Sequence, residues 1–303
     1  MTRTLLLPAL IVGGALLLTA CSSEPASPSK DAPSVVASTN VYGSVAELIG
    51  GDRVDVVWII DGAGKDPHEY EASARDRLAV SQADVVVENG GGYDTFMDSL
   101  LSSGSNGVVV LNAVDLSNLE GTSSAGAEAE FNEHVWYDFA AVDAVGSALA
   151  DALAAADPDG AADYRANYAT FSSRLAEVEA EVETLKSTVA GTPVAITEPV
   201  PLYLFDALGL TNVTPPDFSE AVEEDTDVAP DVLAATLRTL DGSSARLLAY
   251  NAQTATAQTE RVRQEAESAD VPVVDFTETL PDGKDYVQWM DDNVGRVAQA
   301  LGA

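Results

Sequence analysis

Residues 159–189 read DGAADYRANYATFSSRLAEVEAEVETLKSTV, with apolar residues returning every three or four positions and no Pro or Gly after Gly160. This spacing predicts one continuous helix. Tyr164, Tyr168, Phe171, Leu175, Val178, Val182 and Leu185 fall on one stripe, the mark of a helix buried along one side. About 30 residues rising about 1.5 Å each would reach about 45 Å, well beyond an average domain helix. A coiled-coil arm is one way to use such a length. The strand-rich stretches on either side, alike in their alternation of strands and helices, favour a rigid bridge between two α/β lobes with a cleft between them.

The first lobe, 35–158, alternates short β-rich runs with amphipathic stretches, as a largely parallel sheet covered by helices does. Strands are expected at 35–39, 54–60, 83–88 and 107–111, and helices at 41–49, 72–81, 93–102 and 140–155. The second lobe, 190–303, repeats the scheme after the connecting helix at 159–189. Its strands are expected at 193–197, 245–250 and 271–276, and its helices at 231–239, 256–269 and 285–301. The stretch 212–229, NVTPPDFSEAVEEDTDVA, is acidic, carries prolines and shows no periodicity, so it is expected to be a loop. The fold class is therefore α/β: two lobes, each a mostly parallel sheet with flanking helices, joined by one long helix.

The chain opens with Met1-Thr2-Arg3, an apolar run over 5–18 and Leu18-Thr19-Ala20-Cys21. One positive charge, a short apolar core and small residues before the single cysteine predict a lipoprotein signal peptide at 1–20, with Cys21 as the lipidated first residue. A transmembrane anchor would need nearer 20 apolar residues. With Cys21 consumed, neither a disulfide nor a thiolate metal site is expected in the mature chain. Residues 21–34, rich in Ser, Pro and Ala, suit a flexible tether. Across 303 residues, 49 acidic against 15 basic side chains give a net charge of −34, which speaks against nucleic acid as a partner.

The sequence holds two histidines, both in polar, turn-like surroundings. His68 lies in Asp66-Pro67-His68-Glu69-Tyr70-Glu71, after a predicted strand. His134 lies in Phe131-Asn132-Glu133-His134-Val135-Trp136-Tyr137-Asp138, before a predicted helix. Other conspicuous residues have plainer readings. Trp58, Trp136 and Trp289 suit packing. Gly90-Gly91-Gly92 lacks the Lys-Ser/Thr pair of a phosphate loop and suits a tight turn. Glu177, Glu179, Glu181 and Glu183 suit a solvated helix face. Asp217, Glu220, Glu223, Glu224, Asp225 and Asp227 could gather calcium, but their spacing matches no EF-hand loop.

Taken together, several segments resemble the solute-binding lipoproteins of zinc and manganese ABC importers, cluster A-I. They are Asp66-Pro67-His68-Glu69-Tyr70, Glu88-Asn89-Gly90, Glu133-His134-Val135-Trp136, Thr197-Glu198-Pro199, Phe276-Thr277-Glu278-Thr279 and Asp285-Tyr286-Val287-Gln288-Trp289-Met290. They occur in the same order in both, from about Val35 to the C-terminus. The resemblance implies a metal held between the lobes by His68 and His134 from the first and Glu198 and Glu278 from the second. Glu278 departs from the commoner aspartate, so its backbone would need to stand back by about one methylene.

Two imidazoles and two carboxylates suit a divalent first-row cation, and two anionic ligands would neutralise a buried dication. Some zinc-importing relatives carry a third histidine where Glu198 stands and a His-rich loop ahead of the second histidine. Here 121–130 contains no histidine. Both departures lean toward manganese, although intrinsic affinity rises from manganese to zinc. The function so implied is capture of one divalent ion on the extracytoplasmic face of the cell membrane by a lipid-anchored monomer. The ion would be delivered to a permease and its ATPase subunit, with no enzymatic step. The alternatives weighed are a zinc hydrolase, for which no His-Glu-x-x-His helix is present, and a metal-binding surface adhesin.

Overall fold

The computed structural model describes residues 32–62, 64–102, 107–119, 131–241 and 244–303. The expected signal peptide 1–20, Cys21, most of the tether 21–34 and the stretch 121–130 lie outside the described residues. The first sheet comprises β1 (Ser34–Thr39), β2 (Asp55–Ile60), β3 (Val85–Glu88) and β4 (Val109–Asn112). All its pairings are parallel, in the order β2-β1-β3-β4. Its central strands are apolar on both faces, with Val35, Val36, Ala37 and 85–87 all buried, the pattern of a parallel sheet covered on both sides. Around it lie α1 (Asn40–Gly50), α2 (Ala74–Gln82), α3 (Phe96–Ser102), α4 (Ala113–Ser117) and α5 (Phe139–Ala156).

A 3-10 turn, Pro158–Gly160, leads into α6 (Ala161–Val189). Asp157 Oδ2 pins this entry, accepting from Arg53 Nη2 at 2.8 Å and from the Tyr164 hydroxyl at 2.9 Å. The predicted stripe is the buried one: Tyr164, Phe171, Leu175, Val178, Val182, Leu185 and Val189 are buried and Tyr168 is partly so. Glu177, Glu179, Glu181 and Glu183 are exposed. At about 1.5–3 kcal/mol for each large apolar side chain, burial of this stripe contributes at most about 10–20 kcal/mol before entropy is counted. Helix α6 therefore owes its length to tertiary packing more than to local propensity.

The second sheet comprises β5 (Pro193–Ile196), β6 (Thr211–Asn212), β7 (Leu248–Asn251) and β8 (Val273–Phe276), parallel and in the order β6-β5-β7-β8. Its helices are α7 (Leu202–Ala207), α8 (Pro216–Glu223), α9 (Pro230–Thr239), α10 (Ala257–Ser268) and α11 (Tyr286–Leu301). The expected loop over 212–229 is corrected by β6 at its start and by α8. Pro216 at the first helical position starts α8, and Phe218 and Val222, four residues apart, bury its inner side. A helix of two turns is too short to leave a periodic signature among so many acids. Short α4 and α7 were likewise not anticipated.

One continuous apolar core runs from β1 and α1 through α5 and α6 to β8 and α11. Smaller cores lie elsewhere in each lobe, one around Ile59, Ile60, Phe96 and Met97, the other around Phe218, Val222, Leu240 and Val262. Hydrogen bonds fasten the lobes directly. The Asn40 side chain donates to Leu280 O and accepts from Leu280 N, both at 2.9 Å. The Tyr137 hydroxyl donates to Thr277 O at 2.9 Å, and the Tyr286 hydroxyl donates to Trp136 O at 2.6 Å. The sheets thus share one spine, α6, and a stitched seam, leaving a crevice beyond their carboxyl ends, where open α/β sheets hold ligands.

Candidate metal centre

His134 lies between α4 and α5, immediately before a 3-10 turn, Val135–Tyr137. Asp138 stops that turn and starts α5, its Oδ1 accepting from Ala141 N at 2.8 Å. The segment is held from outside as well: Asn89 Nδ2 donates to Glu133 O at 2.9 Å, and the Tyr203 hydroxyl donates to Asn132 O at 2.7 Å. The His134 ring is fully buried, edge-on to Trp136 with centroids 5.0 Å apart.

The ring's two nitrogens are in different situations. Nδ1 lies 2.7 Å from Asn132 Oδ1, and the opposite end of that amide, Nδ2, donates to Pro199 O at 3.1 Å. The second bond fixes the amide's orientation, so Oδ1 accepts and Nδ1 carries the proton. That leaves Nε2 as a bare lone pair. Nε2 is buried without a hydrogen-bond partner. Burial, followed by the nearby His68, holds the pKa of this ring well below that of an ordinary histidine. A neutral imidazole with its far nitrogen anchored and its near nitrogen unpartnered is the form in which histidine ligates metals.

His68 follows β2 on a turn whose Asp66 Oδ1 accepts from His68 N at 2.9 Å. Its ring stands edge-on to Tyr93, 5.1 Å between centroids. Glu198 follows β5 and Glu278 follows β8, and both are buried. Asn251, the last residue of β7, bridges them, with Nδ2 donating to Glu278 Oε1 at 2.7 Å and to Glu198 Oε2. Thr254 Oγ1 donates to Glu198 Oε1, and the Tyr93 hydroxyl donates to Glu278 Oε2 at 3.3 Å. The glutamate at 278 is therefore supported on both oxygens despite its extra methylene.

His68, Glu198 and Glu278 line one cavity of about 360 Å³, together with Asp66, Glu133, Glu223 and Thr254. His134 reaches it through Glu223, whose Oε1 lies 3.5 Å from His134 Nε2 and 3.5 Å from His68 Nε2. Glu133 Oε1 lies 3.8 Å from His68 Nε2. So many buried carboxyls raise one another's proton affinity. Burial, then the charge of Glu223, pushes Glu198 up to about 8. Burial also pushes Glu223 up to about 7, with the nearby His68 ring opposing and the charges of Glu133 and Glu278 adding. Burial works against the His68 cation, yet the close Glu223 carboxylate, with the charges of Glu133 and Glu278, carries it to about 9. The cavity stores protons that a dication would displace and negative charge that it would neutralise.

Asn132, Tyr93, Asn251 and Glu223 were not singled out from the sequence as parts of the site. Asn132 and Tyr93 stood close to quoted motifs, and an amide two residues before a candidate ligand was the available signal. The Gly90-Gly91-Gly92 turn has all three residues at positive φ. A Cβ at Gly90 would lie 2.3 Å from Asn112 Nδ2. Its amide donates to Asp94 Oδ1 at 2.8 Å, so this turn leads the chain into Tyr93.

Comparison with known proteins agrees with this architecture. The manganese-binding lipoprotein MntA of Halalkalibacterium halodurans is 31% identical over 203 residues, 66% of this chain and 66% of that protein. The metal ABC transporter substrate-binding lipoprotein SsaB of Streptococcus sanguinis is 30% identical over 183 residues, 55% of this chain and 58% of that protein. The matches thus span 66% and 58% of these relatives' own length. Among solved structures, the periplasmic zinc-binding protein TroA from Treponema pallidum superposes with a TM-score of 0.73 at 19% identity, covering 89% of this chain and 99% of that one. The Mn2+ complex of FpvC from Pseudomonas aeruginosa gives 0.70 at 23%, covering 89% and 98%. At such identities the likeness establishes the fold, two parallel-sheet lobes on one long helix. The family model described as ZnuA, zinc-uptake complex component A, periplasmic, matches residues 35–300, and this chain belongs to that family.

Proposed function

We propose that the chain is the substrate-binding component of an ABC importer that captures one divalent transition metal ion in the crevice between its lobes. His68, His134, Glu198 and Glu278 are the ligands in this reading. The observation that carries it is His134 Nε2, a fully buried ring nitrogen with no hydrogen-bond partner and its tautomer fixed from behind by Asn132. An unpaired buried polar atom is costly, and a metal bond would satisfy it.

Manganese is favoured over zinc as cargo. A carboxylate stands at 198 where some zinc-importing relatives carry a third histidine, and oxygen-rich sets suit manganese. Two relatives differ in what their names say: MntA is called manganese-binding and TroA zinc-binding. The chain is placed on the extracytoplasmic face of the membrane as a monomer held by lipid on Cys21, and it hands the ion to a permease driven by an ATPase. Capture and release involve no covalent step. The seam at Asn40 and Leu280 and the shared core keep hinge motion small, so release falls to modest movement of the second lobe and its loops.

Elemental analysis of protein isolated from its own host, followed by competitive titration of the metal-stripped chain with Mn2+ and Zn2+, tests this. One equivalent of a first-row metal is expected, bound to the wild type and lost in His134→Ala. Protein without metal, or His134→Ala binding as the wild type does, would refute the reading.

A further inference from the structure

The carboxylate nearest the two rings is neither Glu198 nor Glu278 in the contacts seen, but Glu223. It closes α8, in the stretch whose acids matched no known cation loop. Its Oε1 stands 3.5 Å from both Nε2 atoms. For a hydrogen bond that distance is long, and His134 Nε2 has no hydrogen-bond partner. For two atoms bound to one ion it is apt: donors about 2.1–2.2 Å from a metal and about 90–120° apart stand about 3.0–3.8 Å from one another. Among the described residues, the side chains whose donor atoms cluster closely enough to hold an ion are His68, Glu133 and Glu223.

We propose that Glu223 is a fifth protein ligand to the metal, delivered by α8, and that α8 is the part of the second lobe that closes on the ion. The proposal rests on the preceding reading, in which His68 and His134 hold the metal. Helix α8 is placed to act this way because Phe218 and Val222 belong to the small core of the second lobe and not to the continuous core along α6. It can shift without disturbing the spine. A third carboxylate beside two imidazoles raises the oxygen share and the coordination number, favouring a hard, five- or six-coordinate cation over tetrahedral zinc.

Metal-stripped wild type, Glu223→Gln, Glu223→Ala and His134→Ala are compared in three measurements. These are competitive Mn2+ and Zn2+ titration, visible absorption of the Co2+ form, and amide hydrogen exchange with and without Mn2+. Expected for both Glu223 variants are a ten- to hundredfold loss of Mn2+ affinity, a smaller loss for Zn2+, and stronger Co2+ bands as coordination number falls. The metal-induced protection of residues 216–223 seen in the wild type should also disappear. If His134→Ala abolishes binding while both Glu223 variants bind Mn2+ within twofold of wild type, Glu223 is no ligand and the four-residue site stands. Weakened affinity with an unchanged Co2+ spectrum would mean that Glu223 acts only by its charge, which also overturns the proposal. Undiminished binding by His134→Ala removes the underlying reading itself.

Discussion

The two lobes contribute to the crevice in opposite ways. The first presents imidazoles on a wall fixed from behind: His134 is fully buried, packed on Trp136 and hydrogen-bonded to Asn132. The second presents carboxylates crowded around a single amide, Asn251, with a further one on a short helix outside the main core. In the proposed site, nitrogen donors on the rigid wall would set where an ion goes, and oxygen donors that can bind through one atom or two would set how many bonds it makes.

The largest expected effect lies on the wall. His134→Ala should weaken Mn2+ binding about a thousandfold or more, about 4 kcal/mol, and His68→Ala less, because His68 is partly exposed. Isothermal titration of both checks this, and a larger loss at His68 would break the contrast between the two positions. Next come the cores. Leu175→Ala, in the continuous core, should cost about 2–5 kcal/mol and speed amide exchange in both lobes. Phe218→Ala should cost about 3–5 kcal/mol but speed exchange only around α8, α9 and α10. Exchange spreading equally in both variants would mean that α8 is not separable from the spine.

Proton release separates the lobes further. In the metal-free protein burial pushes Glu198 up to about 8, and, against the burial of its ring, the Glu223 carboxylate carries His68 to about 9, so at pH 7 both favour protonated forms whose protons binding must expel. Affinity should therefore rise with pH up to about 9, with about two protons released per ion at pH 7 from Glu198 and His68 and a further fraction from Glu223. Titrations in buffers of differing ionisation enthalpy count them, and a pH-independent affinity would count against these ligands. The same shift acts on stability. A carboxyl whose pKa is raised on folding favours the folded state while it stays protonated, so the Glu198 contribution in the metal-free protein is full below about 4.5 and is lost as pH rises through about 8. The gain in melting temperature on adding Mn2+ should grow over that interval. The smallest effect sharpens the comparison most: Asn132→Ala leaves every proposed ligand in place but frees the His134 tautomer, and should weaken Mn2+ binding about tenfold. Unchanged affinity would show that burial alone orients the ring.

The helix α6, the strands other than two-residue β6, and the larger helices were legible because each repeats a period over several turns or residues, and the two lobes follow one grammar. The candidate ligands were reached through short motifs, His68 and His134 as the sequence's two histidines and the glutamates by likeness to a family. Helix α8 was not legible: two apolar residues among acids give one repeat of a helical period, and its prolines read as breakers although one of them starts it. Asn251 and Glu223 carried no sequence signal of a role at the site. Asparagine and glutamate are common at strand ends and on acidic surfaces, and their partners lie 25 or more residues away.

What the sequence determined by itself was the scaffold and the kind of donor. Hydrophobic periodicity dictates which faces are buried, and a chain with two histidines, one cysteine and 49 acidic residues can offer a metal little but imidazole and carboxylate. What only the tertiary structure decided was convergence. Which of those acids face the two rings, which nitrogen of His134 is bare, and which amide holds Glu198 and Glu278 together depend on strand ends from two separate sheets meeting across one crevice. Such contacts are set by packing over long separations, where local pattern carries no information.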